Sequence, residues 1–150
     1  MADFKVIADT ELRTALAAHA SGRVTYESGE FIFRQGTKSS GVYLVATGAV
    51  RLFLKSSCRA ALMERIAKPG SLLGLPATIT GDDYSLTAEA IEPTELLQVS
   101  REDLTRLMQQ DIVSAMKLLA LLSGEVRTAR CEIVKTAGQG HRSASSTSAR

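Results

Sequence analysis

The stretch GVYLVATGAVRLFLK, Gly41 to Lys55, decides the reading of this chain. Val50, Leu52 and Leu54 alternate with Arg51, Phe53 and Lys55, the period of a half-buried strand. An apolar run precedes them, and Gly41 and Gly48 stand at its borders, where a turn can need positive φ. Working outward, the same texture extends from Val24 to about Ser100. VTY, FIF, ALMERIAK, TAEAI and TELLQVS are short apolar runs. Ser28-Gly29, Gly36, Lys68-Pro69-Gly70 and Glu92-Pro93 punctuate them. About eight short strands at regular spacing predict an antiparallel β jelly roll over residues 22–100.

Helices flank it, so the fold class is α+β, mainly β. Residues 9–20 carry Leu12, Leu16 and Ala20 at helical spacing, with Asp9 or Thr10 as cap and Gly22 as stop. After Ser100 the grammar turns helical again. Ser100 and Asp103 resemble a capping box before LTRLMQQ, and Asp111 is placed to cap a long helix reaching about Lys135. Along that helix Ile112, Ala115, Leu119, Leu122, Val126, Ala129 and Ile133 step by three and four, a heptad seam. Met116, Leu118 and Leu121 add apolar surface beside it. One stripe is expected to pack on the sheets and the other to meet a partner helix, with a homodimer through 112–133 as the expected assembly.

The chain has 150 residues, enough for one domain with a sizeable core. We read residues 1–136 as that domain and the Ser-rich stretch 137–150 as a disordered tail, since it holds no large apolar side chain to bury. The net charge of +2 belongs to the end of the chain: residues 1–134 carry 15 basic against 16 acidic side chains. A body near neutrality is a poor duplex binder. Aromatics at 5% with no Trp are too few for a single-strand stacking surface. No apolar run approaches a membrane span and the start does not read as a signal peptide, so a cytoplasmic location is expected.

Cys58 and Cys131 form no CxxC pair and are expected as free thiols. His19 and His141 lie at opposite ends, which leaves no multi-histidine metal site. No Walker loop, GxSxG, HExxH or GxGxxG occurs. An enzyme is not expected; a cupin-type jelly-roll enzyme is the alternative least consistent with so few histidines.

Four motifs then fall in order: Gly29-Glu-Phe-Ile-Phe-Arg-Gln-Gly36, Gly41-Val-Tyr-Leu-Val-Ala-Thr-Gly48, Lys68-Pro-Gly-Ser-Leu-Leu-Gly74, and Tyr84-Ser-Leu-Thr-Ala-Glu-Ala90 running on to LLQVSRED. Together, over roughly residues 10–134, they resemble the cyclic-nucleotide-binding domain of the bacterial catabolite-activator and fumarate-nitrate-regulator superfamily. The resemblance implies a jelly roll with a dimerisation-type final helix. It also implies a phosphate cassette in which a Gly-Glu pair opens a short helix, the Glu takes the ribose, and an Arg about ten residues on pairs with the phosphate.

Mapped residue by residue, Gly74 matches the glycine, but Leu75 stands at the Glu position. Pro76 and Ala77 begin the cassette helix. Tyr84 stands at the Arg position, Ser85 matches the small residue, and Leu86 follows. Ser123 falls near a polar position that touches the base. A phenol does not reproduce a guanidinium fork. Residues 69–88 add Asp82 and Asp83 and no basic side chain. Loss of the ionic partner costs about 2–5 kcal/mol of affinity.

The expectation is therefore a stand-alone regulatory module with a degenerate cassette and no cofactor, not binding cyclic AMP or cyclic GMP tightly, acting through dimer or protein-partner contacts. Leu73, Leu75, Ile79 and Leu86 are expected as core rather than as a pocket for an apolar effector. A helix-turn-helix domain needs about 50 further residues, so DNA binding by these 150 residues alone is not expected. A regulator that heterodimerises with a DNA-binding member is the main alternative.

Overall fold

The computed structural model describes residues 2–54 and 63–123. Val126, Ala129, Ile133, both cysteines, His141 and the 137–150 tail lie outside the described residues. The elements run β1 (Ala2–Asp3), α1 (Thr10–Ala18), β2 (Gly22–Tyr26), β3 (Phe31–Phe33), β4 (Gly41–Thr47), β5 (Val50–Leu54), β6 (Met63–Ala67), β7 (Leu72–Leu73), α2 (Leu75–Thr80), β8 (Thr87–Ala90), β9 (Thr94–Ser100) and α3 (Arg101–Gln110). Residues 112–123 are helical and are called α4.

The strands form two sheets, in the orders β1-β6-β5-β8-β3 and β2-β9-β4-β7. Every pairing between these strands is antiparallel except the short β1–β6 contact. This is the expected jelly roll. The two-residue strands β1 and β7 are additions to the sequence reading, too short to show a period. The core holds Val42, Leu44, Val50, Leu52, Leu72, Leu73, Leu75, Leu96 and Val99, with Leu12, Leu16, Leu104, Leu107 and Leu118 from the helices. Burying each such side chain is worth roughly 1.5–3 kcal/mol. On β5 the alternation is incomplete, because Phe53 is buried as well as Leu52. The Arg51 guanidinium lies 4.0 Å from the Phe53 ring centroid and bridges Glu64 and Glu89 on the flanking strands.

The starts of α1, α3 and α4 are capped by side chains that the sequence offers. Asp9 Oδ1 accepts from Leu12 N–H at 2.8 Å. Ser100 Oγ accepts from Asp103 N–H at 3.1 Å, as a capping box requires. The return arm differs from a capping box: Ser100 N–H donates to Ser21 Oγ at 2.9 Å, and the Ser21 hydroxyl donates to Asp103. A serine from the α1–β2 connection thus closes the cap. Asp111 accepts from the Ser114 amide and hydroxyl at the start of α4. On α1 the stop is His19, whose N–H reaches back to Leu16; Gly22 already opens β2.

Two glycines show why the turns need them. Gly48, at φ +94°, turns β4 into β5, and a Cβ there would lie 2.5 Å from the Pro93 carbonyl and 2.4 Å from Thr94 Oγ1. Gly29 has nearly the same φ, +92°, with open space around it. Gly29→Ala should therefore cost only the backbone strain, about 1–2 kcal/mol. Gly48→Ala should cost about 2–4 kcal/mol, because a clash with backbone adds to that strain. Urea unfolding of the two variants measures the difference.

Candidate functional site

The Lys68-Pro69-Gly70 turn delivers β7, and Gly74 follows it in the left-handed region at φ 80°. That kink starts α2, with Pro76 in its first turn, where a missing N–H costs nothing. Gly81, at φ 81°, ends the helix. The chain then loops through Asp82–Leu86 into β8. The cassette expected at this place is formed as a short helix between two strands.

Gly74, Pro76, Ala77, Tyr84, Ser85 and Leu86 surround one cavity, together with Phe4, Phe33 and Leu52. Its volume is about 20 Å³, room for roughly one water. Leu75 does not line it. Its side chain is fully buried in the core beside Leu73, while Ile79 packs partly buried against that core. Leu86 is half-buried at the cavity wall. Ser123 is exposed on α4 and is not among the lining residues.

Tyr84 fills the centre. It is 4% exposed. Its ring stacks on Phe33, with centroids 3.9 Å apart and planes 12° apart. Its hydroxyl donates to the Gly41 carbonyl at 2.8 Å and accepts from the Ser40 amide at 3.1 Å and the Gly41 amide at 3.3 Å. Its backbone is tied to the same segment: Tyr84 N–H donates to Thr37 O at 2.9 Å, and Gly36 N–H donates to Tyr84 O at 2.8 Å. Gly74 sits against the ring so closely that a Cβ would lie 2.9 Å from it. Ser39 Oγ adds a bond to Ala77 O on α2 at 3.2 Å. Phe4, Phe33, Ser40, Gly41 and Leu52 are the partners that reading the cassette alone missed.

Among the described residues no carboxylate, lysine or arginine lines the cavity. One basic group that approaches the cassette comes from later in the chain. The Arg101 guanidinium lies over Gly81, where a Cβ would be 2.9 Å from Nη2. That is the C-terminal end of α2, where a cation suits the unpaired carbonyls, and not the end where an anion would be cradled. Among the described residues no cluster of His, Cys, Asp and Glu could hold a metal ion.

The second candidate surface is α4. The structure divides the predicted seam between two faces. Ala115 and Leu118 are buried at 7% and 1%, and Leu122 packs partly buried against the core. Ile112 and Leu119 face outward at 71% and 47% exposed, joined by Val113 and by Met116 at 60%. The outward row is thus Ile112, Met116, Leu119 and Ser123, again spaced four and three. Ala115 and Leu122 belong to the inward stripe, which corrects the seam read from sequence. Lys117, on the flank, reaches Asp9 Oδ2 at 2.8 Å and Glu11 Oε1 at 2.5 Å and pins α4 to the start of α1.

With this geometry in place the family is clear. The model of the cyclic nucleotide-binding domain matches residues 23–111, and the chain belongs to that family, in its Crp/Fnr branch. It is 36% identical over 111 residues to the cyclic AMP receptor protein of Thermus thermophilus, which covers 74% of this chain and 51% of that protein. It is 31% identical over 101 residues to the transcriptional activator protein anr of Pseudomonas aeruginosa, covering 67% of this chain and 41% of that protein. The chain thus spans about half the length of these relatives, or less. The crystal structure of the Thermus thermophilus catabolite activator protein superposes with a TM-score of 0.73 at 32% identity, over 86% of this chain and 60% of that one. By name, these relatives are a receptor protein and a transcriptional activator. No helix among the described residues is long and apolar enough to cross a membrane.

The caps set a pH dependence. The Lys117 ammonium, with the Leu12 amide, holds the Asp9 carboxyl below its ordinary value. The Ser21 hydroxyl, then Arg106, does the same for Asp103. A lowered folded pKa gives stability that is complete above the ordinary carboxylate range and is lost as pH falls through the folded value. The acid limb of unfolding should therefore lie below about pH 4. Lys117→Met should raise the Asp9 pKa and leave that of Asp103 in place, read by carbon-13 carboxyl titration.

Proposed function

We propose that this chain is a regulatory module whose cassette does not take cyclic AMP or cyclic GMP, and which acts through helix-mediated pairing. The observation that carries the reading is the state of the two positions on which nucleotide recognition rests in the family. Leu75, at the ribose-binding position, is locked in the core. Tyr84, at the phosphate-binding position, spends its hydroxyl on Gly41 and Ser40. Without an ionic partner a bound phosphate loses about 2–5 kcal/mol, roughly 30- to several-thousand-fold in affinity. The remaining cavity admits nothing of nucleotide size.

The outward row of α4 supports the second half of the reading. Four large apolar side chains, Ile112, Val113, Met116 and Leu119, stand exposed on one face of a helix whose opposite face is already packed. A row spaced by four and three is what a second helix packs against. The expected partner is a second copy of the chain, and a DNA-binding relative carrying the same helix is the alternative partner.

Sedimentation equilibrium, run with and without millimolar cyclic AMP, tests both halves. The native chain should be a dimer whose association constant the nucleotide leaves unchanged. Met116→Glu with Leu119→Glu should be monomeric at the same concentration and keep the native far-UV spectrum. A monomeric native chain would remove the homodimer, and a nucleotide-dependent association would remove the closed cassette.

A further inference from the structure

We propose that Tyr84 is a tethered occupant of the cassette: it takes the room of an effector and holds the β3–β4 connection and α2 together without one. The inference rests on the reading of a nucleotide-free cassette and deepens it, since it names what sets the arrangement of the site instead.

Tyr84 ties to the 36–41 segment through its backbone at Gly36 and Thr37 and through its hydroxyl at Ser40 and Gly41. Its ring lies between Phe33 and Gly74, so it also touches β3 and the start of α2. The side chain thus does what a bound molecule does in a cleft: it stacks, presents a donor and an acceptor to backbone groups, and leaves only about 20 Å³ unfilled.

A ligand orders a site only by binding one arrangement better than another. A side chain carried on the chain itself does so permanently. Its effective concentration is that of an intramolecular group, in the millimolar range or above for a short tether. A free molecule that competes for the same space must displace it. The three backbone contacts of the hydroxyl select against a plain apolar ring, because removing the hydroxyl strands the Ser40 and Gly41 amides and the Gly41 carbonyl. Gly74 fits the same scheme: φ 80° and the ring 2.9 Å from a would-be Cβ both require glycine.

The test is amide hydrogen exchange on the full chain, followed by NMR. In Tyr84→Phe, exchange at Ser40 and Gly41 should quicken roughly tenfold, the worth of one hydrogen bond, while Leu44 and Leu52 in the strands exchange as in the native protein. Tyr84→Gly vacates a phenol-sized space. Adding 4-methylphenol should restore slow exchange at Ser40, and toluene at equal concentration should not. A purely structural role would leave exchange unselective and 4-methylphenol without effect.

Native exchange rates at Ser40 and Gly41 in Tyr84→Phe would overturn the inference even if Tyr84→Gly fails to fold. So would a Tyr84→Gly protein that folds and ignores 4-methylphenol. Calorimetry with cyclic AMP on the native chain separates the two claims. Heat of binding there removes the nucleotide-free reading, and with it the premise. No heat, together with unaltered exchange in Tyr84→Phe, removes the tethered occupant alone.

Discussion

The contact between the Tyr84 hydroxyl and the backbone at Gly41 governs how the rest of the site is arranged. Gly41 opens β4, which pairs with both β7 and β9 in the middle of its sheet. Its φ of 159° is extended, but a Cβ would lie 2.3 Å from the Val99 carbonyl, so glycine is needed there for space. Because the backbone at this point is fixed by β9, the phenol bound to it is fixed too. Gly74 and the first turn of α2 then pack against a ring that cannot move freely. A charged guanidinium in place of this ring would need an anion beside it, whereas the phenol satisfies backbone groups with no charge to neutralise.

Much of this was legible in the sequence, for reasons that can be named. The succession of short strands and the jelly-roll class followed from glycine turns between short apolar runs. Asp9, Ser100 and Asp111 were readable as caps because a cap is local. The cassette position came from the resemblance carried by Gly74 and Ser85. What was not legible depended on distant partners. Nothing near Tyr84 in sequence announces that Phe33 stacks on it or that Ser40 and Gly41 receive its hydroxyl. Nor does the local acidity of Asp82 and Asp83 reveal that Arg101 lies over Gly81. The β1 and β7 pairings, two residues each, are set by neighbours already in place and have no period of their own.

The seam on α4 shows the same division in one helix. Its repeat was readable, but a helix that is apolar nearly all round offers more than one row at heptad spacing. The body of the protein chooses among them. Ala115, Leu118 and Leu122 turn inward, and Met116 takes an outward place beside Ile112 and Leu119. Lys117, bound to Asp9 and Glu11, fixes the rotation that exposes this row. The site and the helix are thus two outcomes of one frame: Tyr84 is buried in the cassette, and among the described residues α4 carries a row of exposed large apolar side chains.

The most direct measurement of that account is thermal unfolding with saturating cyclic AMP, on the native chain and on a Tyr84→Arg variant side by side. A ligand at 100 times its dissociation constant adds about 2.7 kcal/mol of stability, a shift of roughly 5–11 °C in a domain of this size. The account predicts that the midpoint of the variant rises and that of the native chain does not. A native midpoint that rises with cyclic AMP as far as the variant's would contradict it.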